Sequence, residues 1–194
     1  MHNNKHLILS PHYAATTRKS GQSAFTLIEL LTTLAITGII AISAAPSLQN
    51  LLMDNRMVAR VNDLMAHLNL ARSEAIHRGA RVVLCPSADQ QNCAKHSAWH
   101  EGWIVFVDDN SDRKHGNKEM VLRLQSAVND SFTIKSGSHQ PVVFQPQGSS
   151  GGTNDTFTFC DARGPLKARA IVLSNSGRPR IAHNKSDGKP LTCI

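Results

Sequence analysis

The residues with the clearest chemistry stand near the C-terminus. Arg178 and Arg180 flank Pro179 and follow Gly177. In an extended segment, residues i and i+2 share a face. Both guanidiniums can then reach one strip of phosphate, and the planar fork of Arg suits bidentate phosphate contacts. Pro179 stiffens the entry to a strand, and Gly177 permits close backbone approach. Lys167 and Arg169 precede this pair, and Lys185 and Lys189 follow it in a loop. The pattern fits a nucleic-acid backbone site that is sequence-independent and salt-sensitive. It fits equally a solvated basic surface, or a face that pairs with acidic neighbours. No Phe, Tyr or Trp lies between Leu166 and Ile194, so stacking on bases is not expected to dominate.

Other constellations are weaker. Asp108-x-Asn110-x-Asp112, with Glu119 downstream, imitates the spacing of an EF-hand loop. Arg113 occupies the place that needs Gly, so a polar hairpin loop is the better account and no metal is expected. The run from Gly148 to Gly152 lacks the Gly-Lys-Ser/Thr ending of a phosphate-binding loop and reads as a flexible loop. No Ser or Cys sits in a nucleophile motif. The chain is not expected to be an enzyme or to need a cofactor.

These residues need elements to position them. The chain has 194 residues, room for one ordinary domain, and 41% are hydrophobic, so a packed core is expected. The net charge of +7 is concentrated at the two ends. Residues 1–24 carry +3, residues 160–194 carry +5, and the 135 between carry 11 basic and 12 acidic side chains, or −1. Residues 30–53 contain no charge, and about 20 residues of helix cross a bilayer's hydrocarbon core. Arg18 and Lys19 precede this run, so the positive-inside bias keeps the extreme N-terminus cytoplasmic. The run is too long for a cleaved secretory signal. A plain signal anchor would not carry Glu29 at its start, because a carboxylate near hydrocarbon needs compensation.

After Pro46 an amphipathic pattern appears: Val58, Val61, Leu64/Met65, Leu68, Ala71 and Ala75/Ile76, with Gly79 as a helix stop. One helix over Phe25–Arg78 would be roughly 80 Å long if continuous. From Arg81 the period shifts toward two. Strands are expected at 81–85, 103–107, 120–125, 132–135, 142–144, 156–159, 170–173 and 180–183. The fold class is therefore α+β, a helix packed on an antiparallel sheet or small sandwich.

The four cysteines allow three pairings. A head that follows a membrane segment should face the periplasm, where disulfides persist. Cys85–Cys93 and Cys160–Cys193 are favoured, because each pair is close in sequence or brackets one compact region. That compartment also argues against zinc on Cys85, Cys93, His96 and His100, despite their spacing.

The string Ala24-Phe25-Thr26-Leu27-Ile28-Glu29-Leu30 resembles the prepilin processing signal of type IV pilins and type II secretion pseudopilins. The resemblance implies cleavage between Ala24 and Phe25, where Gly is usual in the place of Ala24. It also implies methylation of the new amino terminus at Phe25. Glu29 then becomes the fifth mature residue, which pairs with a neighbouring subunit's N-terminal amine during filament assembly. Gly38 and Pro46 fall where many pilins carry a helix-loosening Gly and a kinking Pro. Three further strings, Leu70–Gly79, Trp99…Gly102–Asp108 and Gly177–Arg180, are similar to the FimT/GspH minor pilins and pseudopilins.

The implied organisation is a cleaved leader over 1–24 and a long helix over 25–78, transmembrane in 25–46. A β-rich periplasmic head follows over 79–194. Implied partners are prepilin peptidase, other pilins and the inner membrane before assembly into a pilus or pseudopilus. In FimT-type minor pilins of naturally competent bacteria a C-terminal Gly-Arg-x-Arg motif binds DNA for uptake, which implies DNA as a partner. GspH-type subunits, or subunits that prime pilus assembly, carry the alternative: the same fold with no DNA role.

Overall fold

The computed structural model describes residues 24–128, 132–138 and 141–193. It contains one long helix, α1 (Leu27–Arg78), and eight strands: β1 (Arg81–Pro86), β2 (Gly102–Asp108), β3 (Val121–Ser126), β4 (Phe132–Ser136), β5 (Val142–Phe144), β6 (Asp155–Asp161), β7 (Arg169–Leu173) and β8 (Pro179–Ala182). All eight expected strands are present, with no end shifted by more than two residues. Two compact units divide at Ala45 and Pro46.

The first unit is helix from Leu27 onward. Thr26 caps it, its Oγ1 accepting the Glu29 amide at 3.3 Å. This is the Thr-x-x-Glu arrangement that satisfies free amides of a first helical turn. The segment is long and apolar enough to cross a membrane, with a mean hydropathy of 2.0 over 18 residues. Its hydroxyl groups are compatible with that environment. Thr32, Thr33, Thr37 and Ser43 each donate to a backbone carbonyl three or four residues earlier.

In the second unit, α1 buries Met57, Val61, Leu64, Leu68, Ala71 and Ala75. The spacing of four and three residues makes one stripe. Met57 takes the place expected for Val58, which is exposed, as is Ile76. Each lies about 100° around the helix from the buried stripe, and the core contact selects the phase.

The strands form two antiparallel four-stranded sheets, ordered β3-β2-β1-β5 and β4-β6-β7-β8. Their inner faces and the α1 stripe share one core, which includes Trp99, Trp103, Phe144, Phe157 and Phe159. The outer faces are also partly covered. On the first sheet Val83, Cys85, Ile104, Phe106 and Val143 pack together, with Cys93 against them. On the second, Ala170, Val172 and Ala182 pack beneath Leu191 near the chain's end. Disulfides Cys85–Cys93 and Cys160–Cys193 each pin the segment that supplies the cover. Burial on both faces explains why β2 is buried along its whole length and reads as an unbroken apolar run.

Candidate functional site

The basic C-terminal residues are displayed on the second sheet. Phe157 and Phe159 face the core, so Thr156 and Thr158 lie on the outer face of β6. Val172 and Ala182 also lie on the outer face. Arg180 pairs in register with Val172, and Lys135 with Thr158, so both side chains belong to that face. Arg178 immediately precedes β8 and is exposed.

Two connected hollows of about 550 and 420 Å³ cross the outer face and share Gly137, Thr156 and Ser186. Arg180 lines the first, and Lys135 and Lys185 line the second. Lys135 was absent from the sequence expectation. Its outward position follows from alternation with Phe132 and Ile134, but only the pairing of β4 with β6 brings it to this trough.

A tight hairpin holds Arg178 and Arg180. Gly177 donates to the Ser174 carbonyl at 2.9 Å, and Ser174 donates to the Arg178 carbonyl at 3.3 Å. Gly177 has φ +74°, and a Cβ there would lie 2.1 Å from the Gly148 carbonyl oxygen. Its close approach is therefore to Gly148, inside the protein, and it is buried. Gly177 shapes the hairpin and leaves external contacts to the arginines.

The opposing segment is packed, contrary to the flexible loop expected from its glycines. Ser150 is fully buried, and its amide and hydroxyl reach the Asn175 and Ser174 carbonyls at 3.0 and 2.8 Å. Thr153 donates to the Val143 carbonyl and accepts the Val143 amide. Arg72 on α1 donates to the Gly148 carbonyl at 3.0 Å. The far end of the helix thereby supports the hairpin.

Not every predicted residue joins this face. Arg169 lies opposite His183, touches its Nδ1, and shares the inward parity of Ile171 and Leu173. Lys167 belongs to a short 3-10 turn beyond the start of β7, whereas the hairpin follows its other end. Five strand residues separate them, roughly 17 Å. Strand direction and parity therefore set Lys167 and Arg169 apart from the arginine pair. Lys189 forms an ion pair with Asp187 at 3.1 Å. Among the described residues, Arg178 and Arg180 have no acidic partner and no side-chain hydrogen bond.

Two carboxylates border the trough, Asp155 and Asp187. Asp155 accepts from the Gly137, Ser138 and Thr156 amides and from the Ser138 hydroxyl. Burial raises its pKa, and these hydrogen bonds oppose the shift. The acidic loop bonds mostly to its own backbone amides, while Glu119 Oε1 is buried without a hydrogen-bond partner among the described residues. Asp108, Asp112 and Glu119 bring ligand atoms within 4.8 Å of one another. Their oxygens accept backbone amides: Asp108 from Asp112 and Arg113, Asp112 from Lys114, and Glu119 from Gly116. Arg113 adopts φ +63°, the left-handed conformation that Gly would take. Cys85 and Cys93 are bonded to each other, so their thiolates are not free for zinc.

The Trp99…Trp103 string is a core device. Both indoles are fully buried, and Trp103 Nε1 donates to His67 Nδ1 at 3.0 Å. Gly102 between them has φ +113°, with the Gln125 carbonyl 2.6 Å from where a Cβ would sit.

An apolar, capped N-terminal helix with Glu29 in its first turn, ahead of a head built on two antiparallel sheets, defines a type IV pilin or pseudopilin subunit. Comparison with known proteins gives the family. The chain belongs to the family described as Type II transport protein GspH, whose model matches residues 60–177. The prokaryotic N-terminal methylation motif matches residues 19–45. Two crystal forms of the type IV minor pilin FimU from Pseudomonas aeruginosa strain PAO1 share the fold, each at 22% identity and a TM-score of 0.53. The matches cover 71% and 72% of this chain, and 100% and 96% of theirs. No curated protein sequence matches. The family and these structural neighbours are pilin subunits rather than enzymes. The methylation motif implies prepilin peptidase and fellow pilins as partners, and the apolar helix fits a membrane-anchored subunit.

Proposed function

We propose that this protein is a minor type IV pilin that captures extracellular DNA for natural transformation. The head would lie in the periplasm before incorporation into the filament. The observation that carries the reading is a pair of exposed guanidiniums, Arg178 and Arg180, on a rigid hairpin without acidic partners among the described residues. Lys185 and Lys135 extend the positive strip across the trough. From β4 to β8 the strip spans three strand spacings, about 14 Å. Contacts of this kind bind phosphate and position the duplex without reading sequence.

The leader is cut between Ala24 and Phe25, Phe25 is methylated, and Glu29 serves filament assembly. The test is titration of the head, lacking residues 1–52, with duplex DNA at several salt concentrations. Arg178→Ala with Arg180→Ala should weaken binding to every sequence and lower the salt slope by about two. Unchanged affinity in that double variant would sink the assignment.

The GspH family match supports a second reading, a pseudopilin or pilus-priming subunit whose head binds other minor pilins. A deletion strain separates the two. Lost transformation with normal piliation favours DNA capture, while lost secretion or lost pili favours the structural role.

A further inference from the structure

Leu166 is 98% exposed, far more than any other large apolar side chain of the head. It stands at the tip of the β6–β7 loop, in the turn Pro165–Lys167. Such a residue needs a reason, and the reason lies in what holds the loop. Arg163, three residues earlier, bonds both oxygens of Asp161 and reaches α1, contacting the Asn50 carbonyl at 3.4 Å and Asp54 Oδ1 at 2.7 Å. The hydrogen bonds that Arg163 donates to Asp161, and then that to Asp54, push the guanidinium pKa higher, against the smaller opposing effect of burial.

The loop is thus fixed beside residues 50–54 of the helix. That level is informative. The uncharged run covers 24 residues, 30–53, and Asp54 is the first charge after Glu29. As helix the run measures about 36 Å, against about 30 Å of hydrocarbon. The excess places its last turn at headgroup level, just outside the hydrocarbon and beyond the transmembrane stretch 25–46. Leu48, Leu51 and Leu52 on the run's last two turns are exposed as well.

We propose that the Gly164–Lys167 loop tip is a membrane-interface anchor. Leu166 inserts at the acyl–headgroup boundary, and Lys167, next to it, meets the phosphates of anionic lipids. A Leu flanked by a cation suits an interfacial layer, where apolar burial and attraction to anionic lipid act together. Pro165 and the Arg163 clamp hold the tip in place, so little ordering entropy opposes insertion. Before assembly this second contact would fix the orientation of the head on the bilayer.

The test uses the full chain in vesicles of phosphatidylethanolamine and phosphatidylglycerol that contain lipids brominated high on the acyl chain. Leu166→Trp supplies the probe and Ile181→Trp the control, since Ile181 is exposed on β8. Trp99 and Trp103 are fully buried and give a constant background. The Leu166→Trp emission should shift to the blue and lose most of its intensity to the brominated lipid, while the control keeps its intensity. Adding Lys167→Glu should weaken the quenching in vesicles with phosphatidylglycerol and leave it unchanged without. Quenching no greater than that of the control overturns the proposal. So does a blue shift that ignores bromine and follows protein density, which would identify a second copy of the chain as the partner.

Discussion

His67 shows how one polar residue can be fixed by a core tryptophan. Its Nδ1 accepts the buried Trp103 N–H, which is possible only while that nitrogen is unprotonated. Burial lowers the His67 pKa below its ordinary value of about 6.5; Asp63 opposes the shift and Arg123 adds to it. The sign follows from linkage. The folded state binds a proton less readily than the unfolded chain, so this stabilisation is full above the unfolded value. It is lost as pH falls through the folded pKa. Chemical denaturation of the head should show stability declining below about pH 6.5. His67→Ala should flatten that decline. It should also cost about 1–3 kcal/mol near neutral pH, because the indole N–H is left buried without an acceptor. An unaltered pH profile in the variant would remove His67 from the account.

At the scale of elements, the two disulfides hold covers over sheet faces. The Cys160–Cys193 bond closes 33 residues of separation and brings Cys193, near Leu191, to the outer face of the second sheet. The chain-entropy relation assigns such a loop about 4 kcal/mol. Cys160→Ala with Cys193→Ala should lower stability by about that amount in denaturant titrations. It should also weaken DNA binding, because the segment that carries Lys185 across the trough loses its tether. Intact affinity in the double variant would mean that Lys185 does not contribute. The arginine hairpin is held differently, by Gly177 against Gly148 and by Ser150 beneath Ser174 and Asn175. Its geometry depends on packing that a basic motif alone does not encode.

Across the head, the basic residues divide by place. Arg180, Lys185 and Lys135 border the trough on the outer face of the second sheet, Arg178 is exposed on the adjoining hairpin, and Lys167 belongs to the loop clamped near Asp54. Asp54 and Arg72, the helix residues nearest these two regions, are 18 residues apart, about 27 Å of helix. The prediction at this scale is a division of labour. Lys135→Ala should reduce the salt slope of DNA binding by about one, and Arg169→Ala should leave it unchanged, because its side chain lies on the opposite face. Equal effects from the two variants would mean that binding follows net charge and not the trough.

Much of this was legible before any coordinates. The uncharged run, Glu29 at its start, and the alternation from Arg81 onward fix a membrane-length helix and eight strands, because each is set by local periodicity and neighbouring side chains. The paired arginines are visible too, since i and i+2 share a face in any strand. The phase of the helix stripe was not, and Met57 replaced Val58 because tertiary contact picks one of two adjacent faces. Three features belong to the tertiary structure alone. Lys135 joins the arginine face because β4 pairs with β6, across 45 residues of sequence from Arg180. Lys167 and Arg169 leave it through strand direction and parity. Leu166 gains meaning only from the Arg163 bridge to Asn50 and Asp54. Local chemistry is written in adjacent residues, whereas which charges share a surface depends on long-range pairing. The +5 of the last 35 residues is a property of the sequence, and its division between an outer sheet face and a loop beside Asn50 and Asp54 is a property of the fold.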